Sequence, residues 1–354
     1  MSDIADNFPH LLGEWLKGTG PESDVVVSTR VRFARNIQGF PFTGRGDATQ
    51  REAVLTMVNS ALRRVHLDRS VVSLQLDKLE GIARDVLVER HLISRELASG
   101  EGPRGVTYGR GEMLSIMVNE EDHLRLQWIK AGFDPERAWK ALCKVDRALE
   151  KVLPYAFSER YGYLTACPTN VGTGMRVSVM VHLPALTLKE HIEKVYNAAK
   201  RMNHAVRGLY GEGTRAYGDM YQISNQATLG RTEEDILESV GRIVPKILEY
   251  ERQTRAQLYT EDRGLLEDKV MRALALLRNA RRLNVQEMMS QLSMLRLGID
   301  MGVVSDITLR TVNELFLLGQ PSHLMRKEGR TLNAAERDEL RARMVRSMLA
   351  HGEN

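Results

Sequence analysis

The sequence predicts an α+β domain followed by an all-α one, and three observations point there. Short β-branched or alternating runs are interleaved with helical stretches between residues 24 and 235. Beyond about residue 256 strand-like runs nearly vanish, and Leu, Met, Ala and Arg recur with helical period. The change comes without a Gly/Pro-rich linker, which implies that the two parts, 1–255 and 256–354, pack closely. At 354 residues the chain is long enough for each part to bury a core without covalent staples.

The elements run in this order. Residues 24–28 (DVVVS) and 114–119 (LSIMVN) are short apolar runs of strand length, and 175–183 (MRVSVMVHL) alternates as a half-buried strand should. Asp134-Pro135 opens a helix in the favoured N-cap/N1 order, carried on through Trp139, Leu142 and Leu149. The spacing predicts further helices over 188–207 and 233–251. In the second part Asn284 with Glu287 and Asn333 with Glu336 form capping-box-like pairs, and Pro321 and Gly329 punctuate. No internal repeat or low-complexity tract is present.

Composition excludes several classes. Two cysteines, Cys143 and Cys167, cannot build a disulfide scaffold or a four-cysteine zinc site. No apolar run approaches the about 18–20 residues of a membrane span, and residues 1–18 lack a basic-then-apolar leader pattern, so a soluble cytoplasmic protein is expected. Of the 50 basic residues only 12 are lysine and 38 are arginine, at a net charge of +4, which is too low for a polybasic nucleic-acid binder. Arginine grips phosphate or carboxylate with a planar fork. Its excess is open to three readings: coding bias or heat adaptation, phosphate chemistry, or nucleic-acid contact.

Four strings carry chemistry. STRVR at 28–32 sets Arg30 and Arg32 on one side of an extended segment, either a two-pronged anion clamp or a pair of surface arginines. NEEDHLR at 119–125 crowds three carboxylates beside His123 and Arg125, a solvated acidic turn unless a cation or substrate neutralises it. His123 has no second histidine at ligand spacing, so no metal site is expected. CPTNVGTGMR at 167–176 places glycines 172 and 174 where backbone can approach a ligand closely, but lacks the GK[ST] of a P-loop and precedes a strand. Cys167 there is open to two readings, an inert buried thiol or a thiolate stabilised by nearby arginine. VRGLYGEGT at 206–214 is a glycine-studded loop with Arg207 and Glu212, a lid or an ordinary surface loop.

Together and in this order, the four strings resemble the phosphagen (ATP:guanidino) kinase family over about residues 24–254. The short segment before STRVR and the helical extension after the catalytic part are similar to the bacterial protein arginine kinase branch. The resemblance implies a catalytic domain built on an antiparallel sheet flanked by helices. It implies ATP-phosphate binding by Arg30, Arg32, Arg125, Arg176 and Arg207, and an adenine contact from His91. It also implies guanidinium binding and proton removal by Glu121 and Glu212, with Cys167 in the active site. Magnesium would be held by nucleotide oxygens with no dedicated protein ligands. One departure stands out: Thr228 follows Ser224-Asn225 where many relatives carry an arginine.

In the helical part, RDELRA at 337–342 puts Arg337 and Arg341 on one helix face with Asp338 three residues from Arg341, as a salt-bridged surface helix would. The string is also similar to the phosphoarginine-binding RDxxRA motif of the same branch, which implies an allosteric product site at Arg337, Asp338 and Arg341. The expected activity is transfer of the ATP γ-phosphoryl to arginine side chains in proteins. A small-molecule guanidino kinase and a non-catalytic phosphoarginine reader are the alternatives. The resemblance further implies a homodimer through the helical part and a role in stress-response proteolysis. Its implied partners are a zinc-containing activator, an AAA+ unfoldase and a heat-shock repressor. A kinase of arginine that displays this many arginines is expected to phosphorylate itself.

Overall fold

The computed structural model describes residues 13–65, 67, 71–109, 111–208 and 216–350. The strands are β1 (Val26–Arg35), β2 (Val71–Gln75), β3 (Gly105–Gly109), β4 (Leu114–Val118), β5 (Leu124–Ala131), β6 (Phe157–Ser158), β7 (Gly162–Tyr163), β8 (Met175–His182), β9 (His204–Gly208) and β10 (Met220–Asn225). Eight of them form one antiparallel sheet in the order β2-β3-β4-β5-β1-β8-β10-β9, and β6 and β7 form a separate hairpin. The first strand therefore lies in the middle, bonded to β5 on one side and β8 on the other.

The strand period of two gives the sheet two unlike faces. On one, Val31 and Phe33 of β1, Leu126 of β5, and Val177 and Val179 of β8 are buried under the helices Ala48–Arg64, Pro135–Glu150 and Glu233–Glu261. The other face is only partly roofed. Helices Gly81–Glu89 and Arg95–Ser99 cover Met117 and Tyr108 at one corner. The carboxy-terminal helices cover Ile129, Met180 and Met220 at one end, with Met288, Met289 and Leu292 packed there. Between these two roofs a strip of sheet is left open.

The local signals mostly hold. Asp134 accepts from the Arg137 N–H at the start of Pro135–Glu150, and Asn284 and Asn333 cap Val285–Asp300 and Ala334–Ala350 through the amides of Glu287 and Glu336. The expected helix over 188–207 is corrected: it is split into Pro184–Leu188 and Ile192–Arg201, and residues 204–208 are the edge strand β9. Asn203, with φ 57°, takes the left-handed conformation that ends a helix, and pairing with β10 supplies the hydrogen bonds that helix continuation would have made. The helix predicted over 233–251 runs on to Glu261, through Pro245, and the next one starts at Arg263.

Candidate active site

The open strip is lined with arginine for a register reason. Across the antiparallel ladders Arg32 faces Arg176, Ala34 faces Arg125, and Arg207 faces Gln222, which in turn faces Met180. Residues paired in this way share a face, and Arg30 lies two residues from Arg32. All five arginines singled out from the sequence therefore project from one side of the sheet. Arg32, Arg125, Arg176 and Arg207 line a cleft of about 980 Å³ together with Glu120, Glu121 and Cys167. Arg30 and His91 line a smaller adjoining cavity with Trp15 and Gln222.

The charges in this strip are poorly compensated. Burial, then the neighbouring Arg125 and Arg176, bring Arg30 down to about 10. Burial lowers Arg32 well below its usual value, with Arg30, Arg125 and Arg176 acting the same way and Glu120 opposing. Arg176 is lowered by burial and by Arg207 and Arg125. Arg30 donates to Gln222 Oε1 at 2.8 Å and Arg176 to Ser224 Oγ at 3.1 Å, so the lateral partners are neutral groups. Crowded guanidinium groups that repel one another form a site for a polyanion.

The carboxylates divide the work. Glu120 is buried and paired with Arg125, while Glu121 is half exposed at the rim with Arg125 Nη2 3.5 Å from its Oε2. Burial, followed by Asp122, Glu120 and Glu96, holds Glu121 above the usual carboxylate range against the pull of Arg125. The turn that carries them opens at Asn119, whose φ of 60° is left-handed and whose N–H donates to His123 O at 3.0 Å. His123 is a brace: its Nδ1 accepts from the Ile37 N–H at 3.0 Å and its Nε2 donates to Pro41 O at 2.8 Å. Among the described residues no group of three or more His, Cys, Asp or Glu could hold a metal ion.

Several supporting residues escaped the sequence reading. Asp122 is fully buried, and its Oδ1 accepts from Asn36 Nδ2 and from the Ala166 N–H, both at 2.7 Å, tying the acidic turn to the segment that leads into Cys167. Arg35 and Asp146 form a buried ion pair at 2.7 Å, and Arg35 Nη1 donates to Thr173 O at 2.9 Å. Cys167 Sγ lies 3.0 Å from Thr169 Oγ1. Thr228, the residue that departs from the family pattern, is buried; its hydroxyl lies 3.0 Å from Thr169 O and 2.7 Å from Val171 O and shares its proton between them. Through these two carbonyls it clasps the loop.

The two loop glycines also differ from expectation in what they approach. A Cβ on Gly172 would sit 2.7 Å from Thr228 O, and one on Gly174 2.6 Å from Ala34 O, with φ of +113° and +63°. Their small size lets the loop press against its own protein. Glu212 lies outside the described residues. Arg337, Asp338 and Arg341 lie away from the cleft, on the helix Ala334–Ala350. Arg341 is buried and donates to Gly319 O, Leu283 O and Asp338 Oδ1, each at 2.7 Å, while Arg337 Nη1 donates to Leu332 O at 2.8 Å. No helix among the described residues is long and apolar enough to cross a membrane.

Comparison with known proteins gives a consistent placement. Residues 53–254 match the family model of the ATP:guanido phosphotransferase C-terminal catalytic domain, and residues 263–354 match that of the protein-arginine kinase McsB C-terminal domain. A protein-arginine kinase from Moorella thermoacetica is 44% identical over 340 residues, 95% of this chain and 97% of that protein. One from Desulforamulus reducens is 43% identical over 339 residues, 95% of each. In structure, the duplicated taurocyamine kinase from Schistosoma mansoni with bound transition state analog components aligns with a TM-score of 0.60 at 27% identity, over 72% of this chain and 36% of that one. A lombricine kinase shares the fold, with a TM-score of 0.60 at 24% identity over 72% of this chain and 76% of that one. The chain belongs to the ATP:guanido phosphotransferase family, among the protein-arginine kinases, and is an ATP-dependent phosphotransferase.

Proposed function

We propose that this protein transfers the γ-phosphoryl group of MgATP to the guanidinium of arginine side chains in proteins. The observation that carries the reading is the convergence of mutually repelling arginines and a rim carboxylate, Glu121, on one cleft. Phosphoryl transfer needs little covalent help from the protein; it needs the nucleotide oxygens held in line and the spreading negative charge met by fixed cations. Arg30, Arg32, Arg125, Arg176 and Arg207 supply both, and His91 stands at the Arg30 end, where an adenine ring would lie. Burial and Arg30 push His91 down to about 3, so it is neutral and suited to contact with a base. Magnesium, carried by the nucleotide oxygens, adds charge neutralisation.

The acceptor is a cation and a poor nucleophile until it loses a proton. Glu121, held above the ordinary carboxylate range, is better matched to that task than a fully solvated glutamate. Glu212 is assigned the second guanidinium contact from its place in the matching string, and Cys167 a flanking position that orients the acceptor. The protein divides into a catalytic part, 1–255, and a regulatory and dimer-forming part, 256–354. Phosphoarginine reading at Arg337, Asp338 and Arg341 is supported by the string; Arg341 is already committed to two carbonyls, so Arg337 would be the first to meet the phosphoryl group. Cytoplasmic location, marking of proteins for stress-response proteolysis and the activator, unfoldase and repressor partners belong to the same proposal.

The test is incubation with MgATP and either an arginine-rich unfolded protein or free arginine, followed by mass spectrometry under non-acidic conditions. Phosphoarginine on the protein, lost in Glu121→Gln, is expected. Rapid phosphorylation of free arginine with none on protein would replace the proposal with a small-molecule guanidino kinase.

A further inference from the structure

The helix Pro321–Glu328 of the carboxy-terminal part begins without a cap of its own: Gln320, at the N-cap position, makes no side-chain bond to it. The cap comes from across the fold. Glu89, the last residue of the helix Gly81–Glu89, accepts from the Ser322 N–H at 2.8 Å through one carboxylate oxygen. Its other oxygen accepts from the His323 N–H at 3.0 Å and from His323 Nδ1 at 2.7 Å. A carboxylate at a helix start satisfies orphan N–H groups and meets the positive end of the helix dipole. Ser322 and His323 are buried, so these bonds are made out of water, where their loss leaves donors unpaired.

The two residues after Glu89 make this contact more than a domain clip. Arg90 is buried and paired with Glu112. His91 comes next, with a left-handed φ of 58°, a conformation that costs a non-glycine residue free energy and persists only where neighbours impose it. Its carbonyl accepts from Gln127 Nε2 at 2.6 Å, and its ring meets Trp15 edge-on at 5.3 Å between centroids, in the cavity it shares with Arg30. Two successive fastenings, Glu89 to the carboxy-terminal helices and Arg90 to Glu112, thus fix the turn that presents His91 to the arginine strip.

We propose that Glu89 is a positioning residue for nucleotide binding: by capping helix Pro321–Glu328 it holds the turn at His91 beside Arg30, so that the carboxy-terminal helices set the affinity of the catalytic cleft for ATP. The proposal rests on the reading that the nucleotide occupies the Arg30–His91 corner. It reaches further along the fold as well, since Arg341 Nε donates at 2.7 Å to the carbonyl of Gly319, two residues before the capped helix starts.

The experiment measures KM for ATP, KM for the protein acceptor, and kcat in the full chain carrying Glu89→Gln, His323→Ala or both, with direct calorimetric titration of MgATP alongside. Glu89→Gln keeps the side-chain shape and removes the charge from all three bonds, and His323→Ala removes the ring bond from the other side, leaving the two backbone N–H groups, should the first variant fold poorly. Each single variant is expected to raise KM for ATP and the MgATP dissociation constant about five- to tenfold, the scale of one net hydrogen bond lost. Acceptor KM and kcat should stay within about twofold, and the double variant should be no worse than the poorer single one. Unchanged MgATP affinity in a folded Glu89→Gln protein, or equal losses in kcat and both KM values, would overturn the proposal. Absence of any transfer to arginine by the unmodified protein would instead remove the functional reading, while the MgATP titration would still decide the role of Glu89.

Discussion

Removing the carboxylate of Asp146 should reveal how the glycine-bearing loop is held over the sheet. Arg35, at the end of β1, is fully buried, and the side chain of Asp146 on the helix Pro135–Glu150 is 7% exposed. Their Nη2–Oδ2 distance is 2.7 Å, Arg35 Nε lies 3.2 Å from both carboxylate oxygens, and the guanidinium rests 3.6 Å from the Tyr163 ring centre. Its remaining nitrogen donates at 2.9 Å to Ala34 O and to Thr173 O. Asp146→Ala leaves a buried cation without its counter-charge, a loss of about 3–5 kcal/mol. For a domain of this size that lowers Tm by roughly 6–20 °C. Replacing both partners by apolar side chains, Arg35→Met with Asp146→Leu, should recover most of this stability. Activity should not recover with it, because no guanidinium then holds Thr173 O and the loop from Cys167 to Gly174 loses one of its anchors. Urea unfolding followed by circular dichroism, with kcat/KM, on the unmodified protein, Asp146→Ala, the singles Arg35→Met and Asp146→Leu, and the double variant reads both quantities. A double variant as unstable as the sum of the single ones, or one restored in stability and activity together, would refute the reasoning.

Thr228→Val, nearly isosteric, removes the shared proton from the carbonyls of Thr169 and Val171 and should cost about 1–3 kcal/mol in unfolding free energy, with a fall in kcat/KM from the loosened loop. Arg176→Met should lower kcat/KM by about a hundredfold or more by thinning the phosphate clamp, yet raise Tm slightly, since the guanidinium it removes is repelled by Arg207 and Arg125; differential scanning calorimetry without nucleotide checks the sign. Burial pushes Asp219 up to about 6, above its ordinary 3.8, with Ser293 donating to it at 2.5 Å. The folded protein therefore binds this proton more tightly than the unfolded chain, and stability from this group falls as pH rises from about 4 to 6, with the full cost, up to about 3 kcal/mol, present above that window. Asp219→Asn, which suits the left-handed φ of 53° at this position, should stabilise the protein at pH 7.5 and make little difference at pH 4, as urea titrations at the two values would read.

The arginine strip was legible in the sequence as far as local period reaches. Arg30 and Arg32 share a face because they are two apart on a strand, and Arg176 lies on a run with strand alternation, whereas Arg125 closes the acidic turn with no strand expected after it. That the strands of Arg125 and Arg176 flank β1 from opposite sides, bringing Arg176 directly opposite Arg32, depends on a sheet order that no local pattern encodes. The supports were hidden for the same reason. Arg35 and Asp146 are 111 residues apart, Asn36 and Asp122 are 86 apart, and Thr228 lies 59 residues from the carbonyl of Thr169. Each looks like an ordinary polar residue until the fold buries it. At 202–208 the local signal misled, since the helical period running up to Arg201 gave no hint that pairing with β10 would take over.

The large arginine count separates into kinds by partner. Arg35, Arg90, Arg104, Arg255, Arg296 and Arg341 are buried, and each guanidinium is met by carboxylates, carbonyls or an amide oxygen: Arg104 by Leu97 O, Ala98 O and Gly102 O, Arg255 by Glu251 and Asp300, Arg296 by Asn313 and Ser23 O. These work as multi-pronged donors that close off the ends of strands and helices, a use to which lysine, with a single charged point, is poorly suited. In the open strip the guanidinium groups are set mainly against one another, and that arrangement costs stability unless an anion arrives. Exposure follows the same division, Arg35 being fully buried and Arg32 only partly so, although the two stand three residues apart on the same strand. What distinguishes them is the face of the sheet from which they project: Arg35 points to the side where Asp146 and Tyr163 wait, and Arg32 to the side where its charged neighbours among the described residues are Arg30, Arg125, Arg176 and Glu120. On the proposed function, one strand thus serves structure with the arginine on one face and phosphate binding with those on the other, and the change of role follows from the pleat.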